Sequence, residues 1–165
     1  MSEEAPTHDL GFGPPPADMP RPIRECYAYW DSRRAGRAVP DRRDFDPVIE
    51  IPRLLRYIWL LDVVGPPRRY RYRLIGEELT RAGASARVGE HLDETERVGN
   101  FDPVQSALDR SVDERVSFWA RGTPRLAHDR YVARIETMSM PLTVNGSGDV
   151  RMIMNATVYT RLYAG

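Results

Sequence analysis

The sequence predicts an α+β domain built on an antiparallel sheet, and three features carry that prediction. The bulky apolar run Tyr57 to Val64 is broken by Gly65-Pro66-Pro67 and answered by the alternating stretch Tyr70-Arg71-Tyr72-Arg73-Leu74-Ile75, the pattern of a β-hairpin. From Pro103 onward, Val104, Ala107, Leu108, Val112, Val116 and Trp119 recur at three- and four-residue spacings until Gly122 and Pro124, which predicts the longest helix. The remainder reads as strands over Leu126–Ala127, Tyr131–Val144 and Val150–Leu162. A hairpin, then helices, then three consecutive antiparallel strands implies a sheet with its helices gathered on one face.

The elements follow in chain order. Residues 1–22 hold Pro6, Pro14, Pro15, Pro16, Pro20 and Pro22 with Gly11 and Gly13, a composition that buries too little surface to offset ordering, so a disordered tail is expected there and a folded domain over 23–165. Ile23, Tyr27 and Trp30 then fall at helical spacing, with Gly36 as the C-cap of a first helix. Pro40, Pro47 and Pro52 among Asp41, Asp44 and Asp46 predict turns and short helical pieces before the hairpin. After it, Gly76 to Gly99 suits short helices and connections. In the final hairpin Asn145-Gly146-Ser147-Gly148-Asp149 is the loop, and Val150, Met152, Met154, Ala156 and Val158 share one face of the last strand.

Composition bounds the function classes. The chain has 165 residues, enough for one domain that buries roughly two-thirds of its unfolded surface. Its longest apolar stretch, Tyr57 to Leu61, is far short of a membrane span, and the start Ser2-Glu3-Glu4 does not resemble a secretory signal, so a cytoplasmic protein is expected. The net charge is zero, which leaves no global field to attract nucleic acid or anionic lipid, and neither is expected as a partner. Every one of the 24 basic residues is arginine, which reads as the codon bias of a GC-rich genome rather than a phosphate-binding specialisation. A lone Cys26 forms no internal disulfide, and with three scattered histidines it makes no metal site. It reads as a buried, inert thiol.

Enzyme signatures are missing. His128 and Asp129 are neighbours in sequence and would point to opposite faces of a strand, so they make no catalytic dyad. No phosphate-binding or dinucleotide-binding glycine motif and no HExxH is present, and the carboxylates Asp93, Glu94 and Glu96 read as a solvated charge run. No catalytic residue is assigned. Arg68, Arg69, Arg71 and Arg73, interleaved with Tyr70 and Tyr72, admit a nucleotide-binding reading, but tyrosines covering a core and arginines dressing an exposed strand explain the pattern better.

A resemblance joins these observations. Tyr29-Trp30-Asp31-Ser32-Arg33-Arg34, Gly36, Pro40, Arg43, Asp46-Pro47, Leu60-Leu61-Asp62, Tyr70 to Gly76 and Met140-Pro141-Leu142 together resemble the short single-domain bacterial PAS proteins of the PAS_5 family, over about residues 23–160. The resemblance implies a five-stranded antiparallel sheet with helices on one face and an N-terminal flanking helix, used for sensing, dimerisation and signalling rather than chemistry. It leaves the cofactor open. Haem-binding relatives commonly carry an axial histidine on the long helix, which has none here; His91 lies in the preceding connection and reads as a solvated or capping residue. Photoactive relatives need a cysteine in the middle helices, whereas Cys26 precedes them.

The expected function is therefore a stand-alone sensory or adaptor domain working through ligand binding, protein contact or both, with no output domain of its own. The alternative is a small-molecule or nucleotide carrier without signalling output. The ligand pocket is expected between sheet and central helices, lined by Trp59, Tyr72, Leu74, Leu79, Leu108 and Trp119. A signalling protein and a small molecule are the expected partners. A homodimer is expected through the first helix, using Ile23, Tyr27, Tyr29 and Trp30.

Overall fold

A computed structural model describes residues 8–82, 86–95, 101–123 and 132–161. Its centre is a six-stranded antiparallel sheet in the order β1-β4-β5-β6-β2-β3, formed by His8–Phe12 (β1), Ile58–Val64 (β2), Arg69–Leu74 (β3), Phe118–Gly122 (β4), Val132–Thr143 (β5) and Val150–Arg161 (β6). The helices are Arg21–Ser32 (α1), Pro47–Glu50 (α2), Glu77–Arg81 (α3), Leu92–Thr95 (α4) and Phe101–Glu114 (α5), with 3-10 turns at Arg42–Asp44 and Pro52–Tyr57. The α+β class stands, with six strands in place of five.

Strand alternation sorts the core into two clusters. The inner face of the sheet, covered by α4 and α5, carries Leu61, Tyr70, Tyr72, Phe118 and Ile153 against Leu92, Ala107 and Leu108. The outer face carries Met138, Met140, Leu142, Met152, Met154 and Ala156, and α1 packs across it with Ile23, Cys26 and Trp30. Helices therefore lie on both faces, α1 opposite α4 and α5. Burial at the first of these helices is nearly complete: Ile23 is 0 % and Trp30 2 % exposed, and the Trp30 indole donates to the Pro141 carbonyl at 2.9 Å. Tyr29 is buried as well, its hydroxyl donating to Glu50 at 2.6 Å, which ties α1 to α2. The expected dimer stripe is thus corrected for Ile23, Tyr29 and Trp30, which belong to the protein's own core; Tyr27 alone of the four is partly exposed. An apolar stripe facing an open methionine-rich sheet face has that face as its nearest partner.

Two further expectations change. The tail expected to be disordered over 1–22 is ordered from His8, because β1 adds to the β4 edge in the register His8↔Gly122 to Phe12↔Phe118, and Met19 is 2 % exposed. Residues 1–7 lie outside the described residues. Composition missed this because a strand that borrows its partner's edge needs little core of its own. The long helix, expected to reach Trp119, ends at Glu114. Arg115 adopts a left-handed φ of 55°, the Ser111 hydroxyl bonds the Val116 carbonyl at 2.6 Å, and the chain re-emerges as β4. Val116 and Trp119 had matched the helical period by coincidence, since Phe118 and Ala120 also alternate with Trp119 and Arg121 in the strand pairing. The strand expected at Leu126–Ala127 and the pair His128–Asp129 lie outside the described residues.

The final hairpin closes as expected: Asn145 and Gly146 have φ of 54° and 68°, and the Ser147 amide bonds the Val144 carbonyl at 3.1 Å, a type I′ arrangement. Asp41, 1 % exposed, fastens that loop by accepting from the Gly146 amide at 2.7 Å, the Thr143 hydroxyl at 2.9 Å and the Arg43 amide at 3.1 Å. Burial alone would raise its pKa, yet these donors hold its carboxyl below the ordinary value.

Candidate site on the inner sheet face

Three central strands bring polar side chains to the inner face, where an all-apolar lining would be the cheaper choice. The pairings Trp59↔Asn155, Ser139↔Asn155 and Thr137↔Thr157 place these residues side by side across β2, β6 and β5. The Trp59 indole donates to the Thr157 hydroxyl at 2.9 Å, and Thr157 and Thr137 share a hydrogen bond of 2.9 Å. Ser139 donates to the Asn155 side-chain carbonyl at 2.6 Å, and the Asn155 amide reaches the Trp59 and Ile153 carbonyls at 3.5 and 3.4 Å. Ser139, Asn155 and Thr157 are all buried.

Such a ladder can do something an apolar face cannot. Two threonines share one bond, so one of their two hydroxyl protons is left for another acceptor, and the second lone pair of the Asn155 carbonyl is available to a donor. Beside it the Trp59 and Tyr72 rings lie 5.8 Å apart at 33°, offering a flat apolar surface. Together they suit a neutral, planar molecule with a few hydrogen-bonding groups.

Of the expected pocket residues, Trp59, Tyr72 and Leu108 meet on this inner side, with Tyr72 and Leu108 buried and Trp59 partly so. Leu79 is buried in α3. Leu74 and Trp119 are corrected: Leu74 pairs with Leu60 on the outer face and is 45 % exposed, while Trp119 packs against the outer cluster. For Leu74 the strand parity is shifted by the irregularity between Leu60 and Leu61, which sequence alternation alone did not reveal, whereas Trp119 lies on β4 opposite Met138 instead of on the long helix. An open depression of about 460 Å³ lies at the far end of the sheet, lined by Val63, Pro66, Val112, Arg68, Asp113, Arg115 and Arg151 among others. None of the six expected residues lines it, and its rim is made of ion pairs such as Arg68 to Asp113 at 2.8 Å.

The basic hairpin strand is likewise neutralised. Arg69 makes a two-pronged contact with Asp93 at 2.7 and 3.0 Å, and Arg71 and Arg73 approach Asp62 at 3.5 and 3.9 Å. Tyr70, 1 % exposed, donates to Asp109 on α5 at 2.6 Å, and burial together with that carboxylate pushes its pKa up. His91 sits beside Arg71 with its Nδ1 3.2 Å from the Glu94 carboxylate, which also accepts from the His91 amide at 3.4 Å. Burial pushes the Cys26 thiol up to about 12, with Glu25 adding to the effect, so it is a poor nucleophile.

Thr137, Ser139, Asn155 and Thr157 went unnoticed in the sequence. Their signal was present, since in Val150–Val158 the positions between the apolar residues include Asn155 and Thr157, polar side chains in a strand whose neighbours are nearly all apolar.

In comparison with known proteins, a family model described as a PAS domain, PAS_5, matches residues 19–151. No curated protein and no solved structure matches the chain.

Proposed function

Since the chain belongs to the PAS_5 family of PAS domains, we propose that it is a sensory or adaptor module that holds a small neutral molecule between the inner sheet face and α5. The observation that carries this reading is the hydroxyl and amide ladder of half-buried Thr137 with buried Ser139, Asn155 and Thr157 beside the Trp59–Tyr72 rings. Buried polar groups cost stability unless satisfied, and a ladder with a spare donor and a spare acceptor fits ligand recognition better than packing. In this reading the protein performs no chemistry and passes its signal by contact with another protein. No helix among the described residues is long and apolar enough to cross a membrane.

The test is an absorption spectrum of freshly purified protein, backed by native mass spectrometry. A co-purified or added planar ligand that quenches Trp59 fluorescence, and whose binding is lost in Asn155→Leu, supports the sensor. Binding that survives Asn155→Leu unchanged overturns the proposed site. A protein that binds no small molecule leaves the adaptor function, because Leu61, Tyr70, Leu108 and Ile153 already fill much of the inner cluster.

A further inference from the structure

The strand β1 precedes the segment that matches the family, which begins at Met19, and it fills the edge that the other five strands leave at β4. Its fit there is specific. Gly11 lies under the Trp119 indole, where a Cβ would come within 2.5 Å of the ring. Phe12 stacks on Phe118 at 5.8 Å and lies beneath the Arg110 guanidinium of α5 at 3.9 Å. Asp9 is opposite Arg121 in the ladder and adds to the field that favours its charge. The edge of β4 thus accepts an extended segment with an acid, an apolar residue, a glycine and an aromatic in that order.

The connection behind β1 is a stiff hinge. Gly13, at φ 99°, turns the chain into Pro14-Pro15-Pro16, three residues with fixed φ that favour an extended course. The far side of the hinge stays anchored in its own copy by buried Met19 and by the two-pronged Arg121–Asp18 pair at 2.8 and 2.9 Å. Phe12 is the only side chain of β1 packed against either buried cluster, so releasing the strand leaves the core intact. A second copy carries the same five residues, the same hinge and the same vacated edge, and exchange restores in another molecule every contact that β1 gives up in its own.

We propose that the outer edge of β4 is a strand-acceptor site through which two copies of this chain associate, each lending its β1 to the other. The assembly is twofold, and the partner copy supplies Gly11 under Trp119 and Phe12 under Arg110. This association needs no exposed face of α1.

The experiment uses the full chain with Leu10→Cys and Ala120→Cys, positions that face each other in the β1–β4 register. Mild oxidation followed by a non-reducing denaturing gel is expected to give a covalent dimer whose fraction rises with protein concentration. Complete oxidation that yields crosslinked monomer alone at every concentration overturns the proposal. So does a dimer in sedimentation whose crosslinks are all internal, since it would then use another surface. A second variant guards against misfolding of the first. Gly11→Val is expected to turn a sedimenting wild-type dimer into a monomer with an unchanged cooperative melt of the remaining fold, and a Gly11→Val chain that stays dimeric overturns the proposal too.

Discussion

The two faces of one sheet are built from different chemistry, although they share the same strands. On the outer face, Met138, Met140, Met152 and Met154 meet Ile23, Cys26 and Trp30, and the Trp30 indole nitrogen buried there is satisfied by a backbone carbonyl. The inner face mixes aromatic rings with Thr137, Ser139, Asn155 and Thr157, which bond to one another and to the Trp59 indole and backbone. A helix that only has to stay in place needs contact area. A surface that has to recognise something needs donors and acceptors held ready, at some cost to stability.

The largest effect expected from this difference is on the outer face. Trp30→Ala removes a buried ring and its hydrogen bond, and we expect a loss of about 3–5 kcal/mol by denaturant melts. A loss below about 1 kcal/mol would mean that α1 is loosely held and the comparison fails. On the inner face Asn155→Ala leaves the Ser139 hydroxyl without its acceptor and is expected to cost roughly 1–3 kcal/mol. The double change Ser139→Ala with Asn155→Leu removes donor and acceptor together and is expected to recover most of that loss while abolishing the proposed ligand binding, which separates recognition from stability.

Titration sharpens the contrast. Cys26 on the outer side and Tyr70 on the inner side both have pKa values raised above their unfolded ones, chiefly by burial. Each therefore contributes stability that is fully present below its unfolded pKa and is lost as pH rises toward the folded one. For Cys26 that window runs from about 9 to about 12. We expect alkaline melts to weaken progressively from about pH 9, and alkylation of Cys26 at pH 8 to proceed only at the rate of unfolding. A thiol that reacts freely in the folded protein would contradict the closed outer face. The smallest effect belongs to the surface: Arg73→Gln, whose charge lies 3.9 Å from Asp62, should change stability by less than about 0.5 kcal/mol.

How far residues announced this depended on whether their signal was local. The β2–β3 hairpin, the short helices between Gly76 and Gly99 and the Asn145–Gly146 turn were legible because a few adjacent residues set each one. The end of α5 was not, since Val116 and Trp119 satisfy the helical period and only the left-handed Arg115 and the partner strands of β4 break it. Half of the candidate site was legible as bulky residues, Trp59, Tyr72 and Leu108. The hydroxyl and amide half was not, because a polar residue inside a strand is informative only once its neighbours across the sheet are known.

By itself the sequence determined the α+β class, the order of most elements, the family resemblance and the apolar stripe of α1. These rest on periodicity, turn residues and composition, which are properties of neighbouring positions. Only the tertiary structure decided that Ile23, Tyr29 and Trp30 face inward, that Leu74 and Trp119 lie on the outer side, and that residues 8–12 join the sheet. Each of these is a choice between two surfaces that satisfy the same local pattern. Pairing with strands more than a hundred residues away in sequence, as His8–Phe12 does with Phe118–Gly122, makes that choice, and five residues read without their partner do not reveal the edge they fit.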